Sequence, residues 1–272
     1  MKFSGEKVVE IYEKIQQKRP IIHCITNAVT VNDCANILLA AGASPTMAHH
    51  PCEVEEITAG TAALICNFAA YEAMKTAGKR AHALGHPIVI DPVGVSGSSY
   101  RRAKCLELMK IIHPTCIRGN YSEIQALLHN CGTVIGVDAA EDALAEAEET
   151  DLPELMKQYA KENQMILVAS GETDLITDGS CVYRCHNGSP MMARITGSGC
   201  MSTVMLGAFL SAENSVESAV ACCAFTGIAG ELAAKEMTAQ KRGTMTFRNW
   251  FIDAVSLMTP EQLEHGTDVD WF

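Results

Sequence analysis

Five short runs constrain this chain most: PIIHCIT (20–26), AALICN (62–67), PIVIDPVG (87–94), TCIRGN (115–120) and QMILVAS (164–170). Four are mainly apolar; the fourth in order, TCIRGN, carries Cys116 and Ile117 before Arg118. Each run ends at or beside a polar residue or a glycine. A strand that alternates apolar and polar residues keeps one face in water, whereas a continuously apolar strand must be covered on both faces. Segments with helical periodicity lie between the runs. Residues 7–18 put Val8, Ile11, Tyr12 and Ile15 on one side, and residues 30–41 stop at Gly42. A third helix ends at Leu84 before Gly85, and a fourth spans about Ser98 to Ile112. The pattern predicts an α/β fold with a mostly parallel central sheet flanked by helices on both faces.

Beyond these runs, LITD, CVYRC and the stretch near 190–195 read as short antiparallel strands. The chain from Ser198 to Met258 reads as mostly helical, and residues 139–162, rich in Ala and Glu, as an exposed helical excursion. No linker, repeat or low-complexity stretch intervenes, so residues 1–272 are expected to form a single domain. A net charge of −11 and the lack of a basic face argue against a nucleic-acid partner. No apolar run reaches 18 residues and the charged N-terminal segment lacks a signal-peptide core, so no membrane span and a cytoplasmic location are expected.

The twelve cysteines include no CxxC pair, and several, such as Cys24, Cys66 and Cys116, sit inside apolar strands. They read as small hydrophobes. Cys181, Cys185 and His186 come nearest to a zinc cluster but lack a second ligand pair.

Ligands in folds of this kind gather at the carboxyl ends of the strands, so the strand tips carry the candidate chemistry. Asp91, in Asp91-Pro92-Val93-Gly94, can hold Mg²⁺ directly or through water; an Asp-Pro turn is the plainer account. In Arg118-Gly119-Asn120-Tyr121-Ser122-Glu123, Glu123 falls in a first helical turn where it can reach a metal's hydration shell. The same spacing also makes a capping box with Asn120, and the two readings are compatible. Arg118 offers a guanidinium fork for phosphates. Ser170, before Gly171, suits a nucleotide contact, or a simple hairpin turn. Near the N-terminus Asn27 can hydrogen-bond a small polar ligand and Met47 can pack on a ring, although Met at a strand end is often core.

The sharpest motif is Thr196-Gly197-Ser198-Gly199-Cys200 before a helix of small residues. Two glycines let the backbone approach a ligand, and a helix start offers free N–H groups and a positive dipole end to an anion. Thr196, Gly197, Ser198 and Gly199 form the candidate anion hole. Cys200 falls in the first helical turn, where a lowered thiol pKa and a proton-accepting role are expected. A glycine-rich turn around a buried Cys is the alternative.

In this order and at these intervals, ITNAVTVNDCANILLAAGASPTMA, DPVG, IRGN with Glu three residues after the Asn, and TGSGC resemble the ribokinase-like superfamily. Within it they resemble the hydroxyethylthiazole kinase family, over roughly residues 8 to 235. Cys200 stands where most ribokinase-like kinases carry an Asp base. The resemblance implies ATP-dependent phosphorylation of the hydroxyl of 4-methyl-5-(2-hydroxyethyl)thiazole in thiamine biosynthesis, with Cys200 as base. It implies thiazole contacts from Met47 and Gly197, ATP contacts from Arg118 and Ser170, and Mg²⁺ organised by Asp91 and Glu123. It further implies a homotrimer with sites between subunits. Ser198 and Ser170 stand where Ala and Thr are common, and residues 236–272 receive no role. The rivals are a related pyrimidine or sugar kinase, a nucleotide-hydrate dehydratase of the same fold, and a non-catalytic vitamin- or nucleotide-binding module.

Overall fold

A computed structural model describes residues 2–131 and 152–272; residues 139–151 of the expected helical excursion lie outside the described residues. The chain opens with α1 (Gly5–Lys18), β1 (Ile21–Ile25), α2 (Val31–Ala40), β2 (Ser44–Thr46), α3 (Val54–Ala59) and β3 (Ala63–Asn67). Then come α4 (Tyr71–Leu84), β4 (Ile88–Asp91), α5 (Ser99–Ile112), β5 (Cys116–Asn120) and α6 (Tyr121–Cys131). After α7 (Leu152–Asn163) follow β6 (Ile166–Ser170), β7 (Asp174–Thr177) and β8 (Val182–Cys185). The last elements are α8 (Ser198–Ala212), α9 (Val216–Ala239), α10 (Thr244–Ser256), α11 (Pro260–Gly266) and β9 (Val269–Trp271).

Among the described residues the strands form one sheet in the order β2-β1-β3-β4-β5-β6-β7-β8-β9. The pairs from β2 to β6 are parallel, and those from β6 to β9 antiparallel. This is the mostly parallel, helix-flanked α/β sheet that the apolar runs predict. Side chains alternate along each strand, so the two sheet faces feed two cores. Ala63, Ile65, Val89, Cys116 and Val168 enter the core under α1, α2, α8, α9 and α10. Leu64, Cys66, Ile90, Ile117 and Leu167 enter the core under α3 to α7. Two residues beyond the last member of the first set, Asn67, Asp91, Arg118 and Ser170 continue toward the α8 face. That parity delivers polar strand tips to the start of α8.

Helix α8 lies close to the sheet because Gly207 faces it: a Cβ there would stand 2.3 Å from Ile65 Cδ1. Helix α9, long and apolar enough to cross a membrane by length and composition, has 83% of its most apolar window buried inside the molecule. Its packing against Tyr12 and Phe209 through Phe225 is that of a core helix.

Two expectations are corrected. The stretch near 190–195 is not a strand: Pro190–Arg194 forms a 3-10 turn, because Pro190 favours a helical start and Ser189 Oγ accepts the Met191 N–H. Residues 236–272, given no role from sequence, are structural. Phe247 and Phe251 of α10 are fully buried, β9 closes the sheet beside β8, and Arg248 Nε donates to the buried Asp33 of α2 at 2.8 Å.

Candidate active site

The start of α8 is the centre of the site. Gly197 caps the helix with φ +87°, a left-handed conformation that disfavours side chains, and a Cβ there would lie 2.8 Å from Thr30 Cγ2. Thr196 is exposed, Ser198 and Gly199 are half-buried, and Cys200 is buried in the first turn. Ser198 Oγ donates to the Met192 carbonyl at 2.7 Å, which anchors the turn to the 3-10 segment. The N–H groups of a first helical turn have no intrahelical acceptor, so those of 198–200 can bind an oxyanion.

Asn27 lies between β1 and α2. Its Oδ1 accepts from the backbone N–H groups of Val29 and Thr30 at 3.0 and 3.2 Å, and so holds the entry to α2. Its Nδ2 donates to Asn67 Oδ1 at 3.0 Å and approaches Cys200 Sγ at 3.7 Å. Met47 is half-buried against the core on the same side of the sheet. The buried His23, whose Nε2 donates to the Ala48 carbonyl at 2.9 Å, ties the Met47 loop to β1.

Asp91 is 4% exposed. Its Oδ2 accepts from Asn67 Nδ2 at 3.0 Å and from Thr203 Oγ1 at 2.7 Å. No hydrogen bond among the described residues reaches Oδ1. Burial pushes this carboxyl up to about 6, against the pull of Arg118 and the Thr203 hydroxyl. A buried carboxylate with one committed oxygen and an elevated pKa suits a cation.

Glu123 is held differently. Its Oε1 accepts from Gly94 N–H at 2.8 Å and its Oε2 from Asn120 N–H at 3.0 Å, while Asn120 Oδ1 accepts from Glu123 N–H at 2.9 Å. The capping box is therefore present, and it also clamps the 91–94 loop. Arg118 is buried, and its Nη1 donates to the Gly199 carbonyl in the first turn of α8 at 3.1 Å and to Thr203 Oγ1 at 3.4 Å. Burial opposes its charge, but the carboxylates of Asp174 and Asp91 outweigh that and hold the guanidinium above its ordinary value. Ser170, half-buried and in register with Asn120, donates to the Gly119 carbonyl at 3.3 Å.

The expected lowering of the Cys200 thiol is overturned. Burial raises it, and the nearby Asp91 charge raises it further, outweighing hydrogen bonds from Asn67, Thr30 and Asn27. The helix start is present, but the thiol faces a carboxylate and little solvent.

Three residues at the centre escape a reading of the sequence: Asn67, Thr203 and Asp174. Asn67 ends an apolar run and pairs in register with Asp91, so strand parity is the available signal. Thr203 lies three residues after Cys200, on the helix face toward Asp91. Asp174 begins β7, is half-buried and accepts from Gly171 N–H at 3.0 Å; only tertiary pairing brings it near Arg118.

The family model described as the hydroxyethylthiazole kinase family matches residues 12–261, beginning four residues inside the 8–235 span suggested by motifs and running 26 residues past its C-terminal end. A hydroxyethylthiazole kinase of Clostridium acetobutylicum is 40% identical over 263 residues, covering 94% of this chain and 96% of its own. The solved hydroxyethylthiazole kinase of Pyrococcus horikoshii superimposes with a TM-score of 0.85 at 29% identity, covering 97% of this chain and 98% of its own. A ribokinase-like superfamily protein of Enterococcus faecalis matches with a TM-score of 0.57 at 11% identity, over 94% of this chain and 99% of its own, which is a likeness of fold alone.

Proposed function

The chain belongs to the hydroxyethylthiazole kinase family, and from that premise we propose that it transfers the γ-phosphoryl group of ATP to the hydroxyl of 4-methyl-5-(2-hydroxyethyl)thiazole. The observation that carries this reading is the Cys200 thiol in the first turn of α8, beside the Asn27 amide and next to the buried Asp91 carboxylate. One cluster of residues then offers a partner for an alcohol, a helix start for a phosphoryl group and a carboxylate for a cation.

Met47 and Gly197 flank the thiazole ring, with Asn27 near its hydroxyethyl arm. The alcohol oxygen attacks the γ-phosphorus, the bond to the β-phosphate oxygen breaks, and ADP leaves. The N–H groups at 197–200, with Thr196, receive the transferring oxygens, which is where electrostatic stabilisation counts most. Such transition states are loose, so the alcohol keeps its proton until late. With a raised pKa Cys200 rests as the thiol, which orients the hydroxyl at Sγ; the thiolate fraction, which grows as pH rises, accepts the alcohol proton as the new P–O bond forms. Arg118 and Ser170 are assigned to the nucleotide, Arg118 through the charge it places beneath the α8 turn. Asp91 would hold Mg²⁺ through its uncommitted Oδ1, and Glu123 would reach it through water. When bound, the ion supplies charge neutralisation along the phosphates.

We assign a homotrimer with sites between subunits, a cytoplasmic setting and one domain to the same reading. Incubation with ATP, Mg²⁺ and the thiazole alcohol should give a new phosphomonoester by ³¹P NMR, with the mass of the thiazole phosphate. ATP left intact would end the proposal. Light scattering should give three times the single-chain mass, and a monomer would contradict the trimer.

A further inference from the structure

Asn67 is a fully buried polar side chain at the tip of β3, and the reaction as set out above does not use it. A carboxylate can only accept a hydrogen bond, so the contact with Asp91 Oδ2 at 3.0 Å fixes the Asn67 amide nitrogen on that side. Its carbonyl oxygen must then face the other way, where Asn27 Nδ2 donates to it at 3.0 Å. The same Asn27 nitrogen approaches Cys200 Sγ at 3.7 Å. One amide, oriented without ambiguity, thus lies between the acceptor side of the site, Asn27 and Cys200, and the cation side, Asp91.

The backbone makes this join rigid. Asn67 and Asp91 are register partners in adjacent parallel strands, β3 and β4. Asn27 is fixed at its other end by the two N–H groups at the entry to α2. With Asn67 and Thr203 both on Oδ2, the free oxygen of Asp91 has one direction in which to point. A plain core role would be served by an apolar residue here, as at the preceding Ile65 and Cys66; a buried amide is costly unless both its ends are satisfied. Here both ends are satisfied by residues of the site.

We propose that Asn67 is a positioning residue that sets the spacing between the alcohol-binding half of the site and the cation-binding half. This rests on the kinase reading above for its meaning, but not for its test. Its chemistry is to hold: it forms and breaks no bond. Removing it lets the Asp91 carboxylate and the Asn27 amide rotate independently. Misplacement of reacting groups by about 1 Å is enough to cost about 10²-fold in rate.

The test is Asn67→Ala, read by calorimetry of ATP binding with and without Mg²⁺, by steady-state kinetics and by thermal melting. The expected result is a Mg²⁺-dependent gain in ATP affinity reduced at least about fivefold, with kcat down about 10²-fold and the ATP affinity without Mg²⁺ unchanged. Combination with Asn27→Ala should cost less than the product of the two single losses, because both changes cut the same chain of bonds. A lower Tm with Mg²⁺-dependent binding and kcat within about twofold of wild type would show a packing role and overturn the proposal. Should the alanine variant fail to fold, Asn67→Asp keeps the shape and an acceptor for Asn27 but cannot donate to ionised Asp91. It should lose kcat at least about tenfold, and near-normal kcat would overturn the proposal equally. If wild type fails to phosphorylate the thiazole alcohol, the functional reading falls, and the calorimetric comparison still decides the role of Asn67.

Discussion

Asp91 ends β4 and Glu123 sits in the first turn of α6, just beyond the neighbouring β5, and the two are held in opposite ways. Asp91 is fixed by side chains, Asn67 and Thr203, through one oxygen, in a buried setting that makes its charge costly. Glu123 is fixed by backbone N–H groups, Gly94 and Asn120, through both oxygens, so that its charge caps a helix and pins a loop. The lesson is that one carboxylate carries an unmet demand for positive charge, and the other has its demand met by the fold. A cation should therefore depend on Asp91 directly and on Glu123 at one remove.

The largest effect is expected beside Asp91, at Cys200. Cys200→Ala should lower kcat by about 10²–10⁴-fold with little change in thiazole affinity, and Cys200→Asp should keep substantial activity. A thiol raised above its ordinary pKa gains thiolate only as pH rises, so any alkaline rise in wild-type kcat should vanish in the alanine variant. A near-normal Ala variant beside a dead Asp variant would reduce Cys200 to packing.

Asp91→Asn should lower kcat by about 10²–10³-fold and raise the Mg²⁺ midpoint. It should also stabilise the fold at neutral pH. The carboxyl rises from an ordinary 3.8 to about 6, so the folded protein binds this proton more tightly than the unfolded chain does. Stability is then lost as pH climbs from about 4 to about 6, and the loss, roughly 2–3 kcal/mol, persists at pH 7. The neutral Asn removes it, so Tm should rise at pH 7 and not at pH 4. A Tm that falls at pH 7 would show that the Asp91 charge is not costly in the folded protein.

Glu123→Gln should do the reverse. An amide offers one oxygen where the carboxylate offered two, so the N–H of Gly94 or of Asn120 loses its acceptor, at about 0.5–2 kcal/mol. Tm should fall, and kcat by about 10–100-fold. A Mg²⁺ midpoint shifted more than by Asp91→Asn would invert the assignment. The smallest effect sharpens the same contrast: Thr203→Ala leaves Asp91 with Asn67 alone and should cost kcat less than about tenfold, the scale of one neutral hydrogen bond.

Much of this is legible in sequence because strand tips obey parity. Asp91, Arg118 and Ser170 can be placed at one end of a parallel sheet from apolar runs alone, and the cap of α8 from its glycines. Residues 190–195 mislead because short segments between turns carry too little periodicity to tell a strand from a 3-10 turn. The direction of the Cys200 shift is hidden because a helix start is local, whereas burial and the Asp91 charge arrive from other elements. Asn67 and Asp174 are invisible for the same reason: their roles come from register and pairing across the sheet.

ADP release with the thiazole alcohol beside hydroxymethylpyrimidine, under identical ATP and Mg²⁺, tests the substrate assignment. Thiazole-dependent ADP formation is expected with kcat/KM at least about 10²-fold above that for the pyrimidine alcohol. Equal or faster turnover of the pyrimidine, or no ADP with the thiazole, would contradict it.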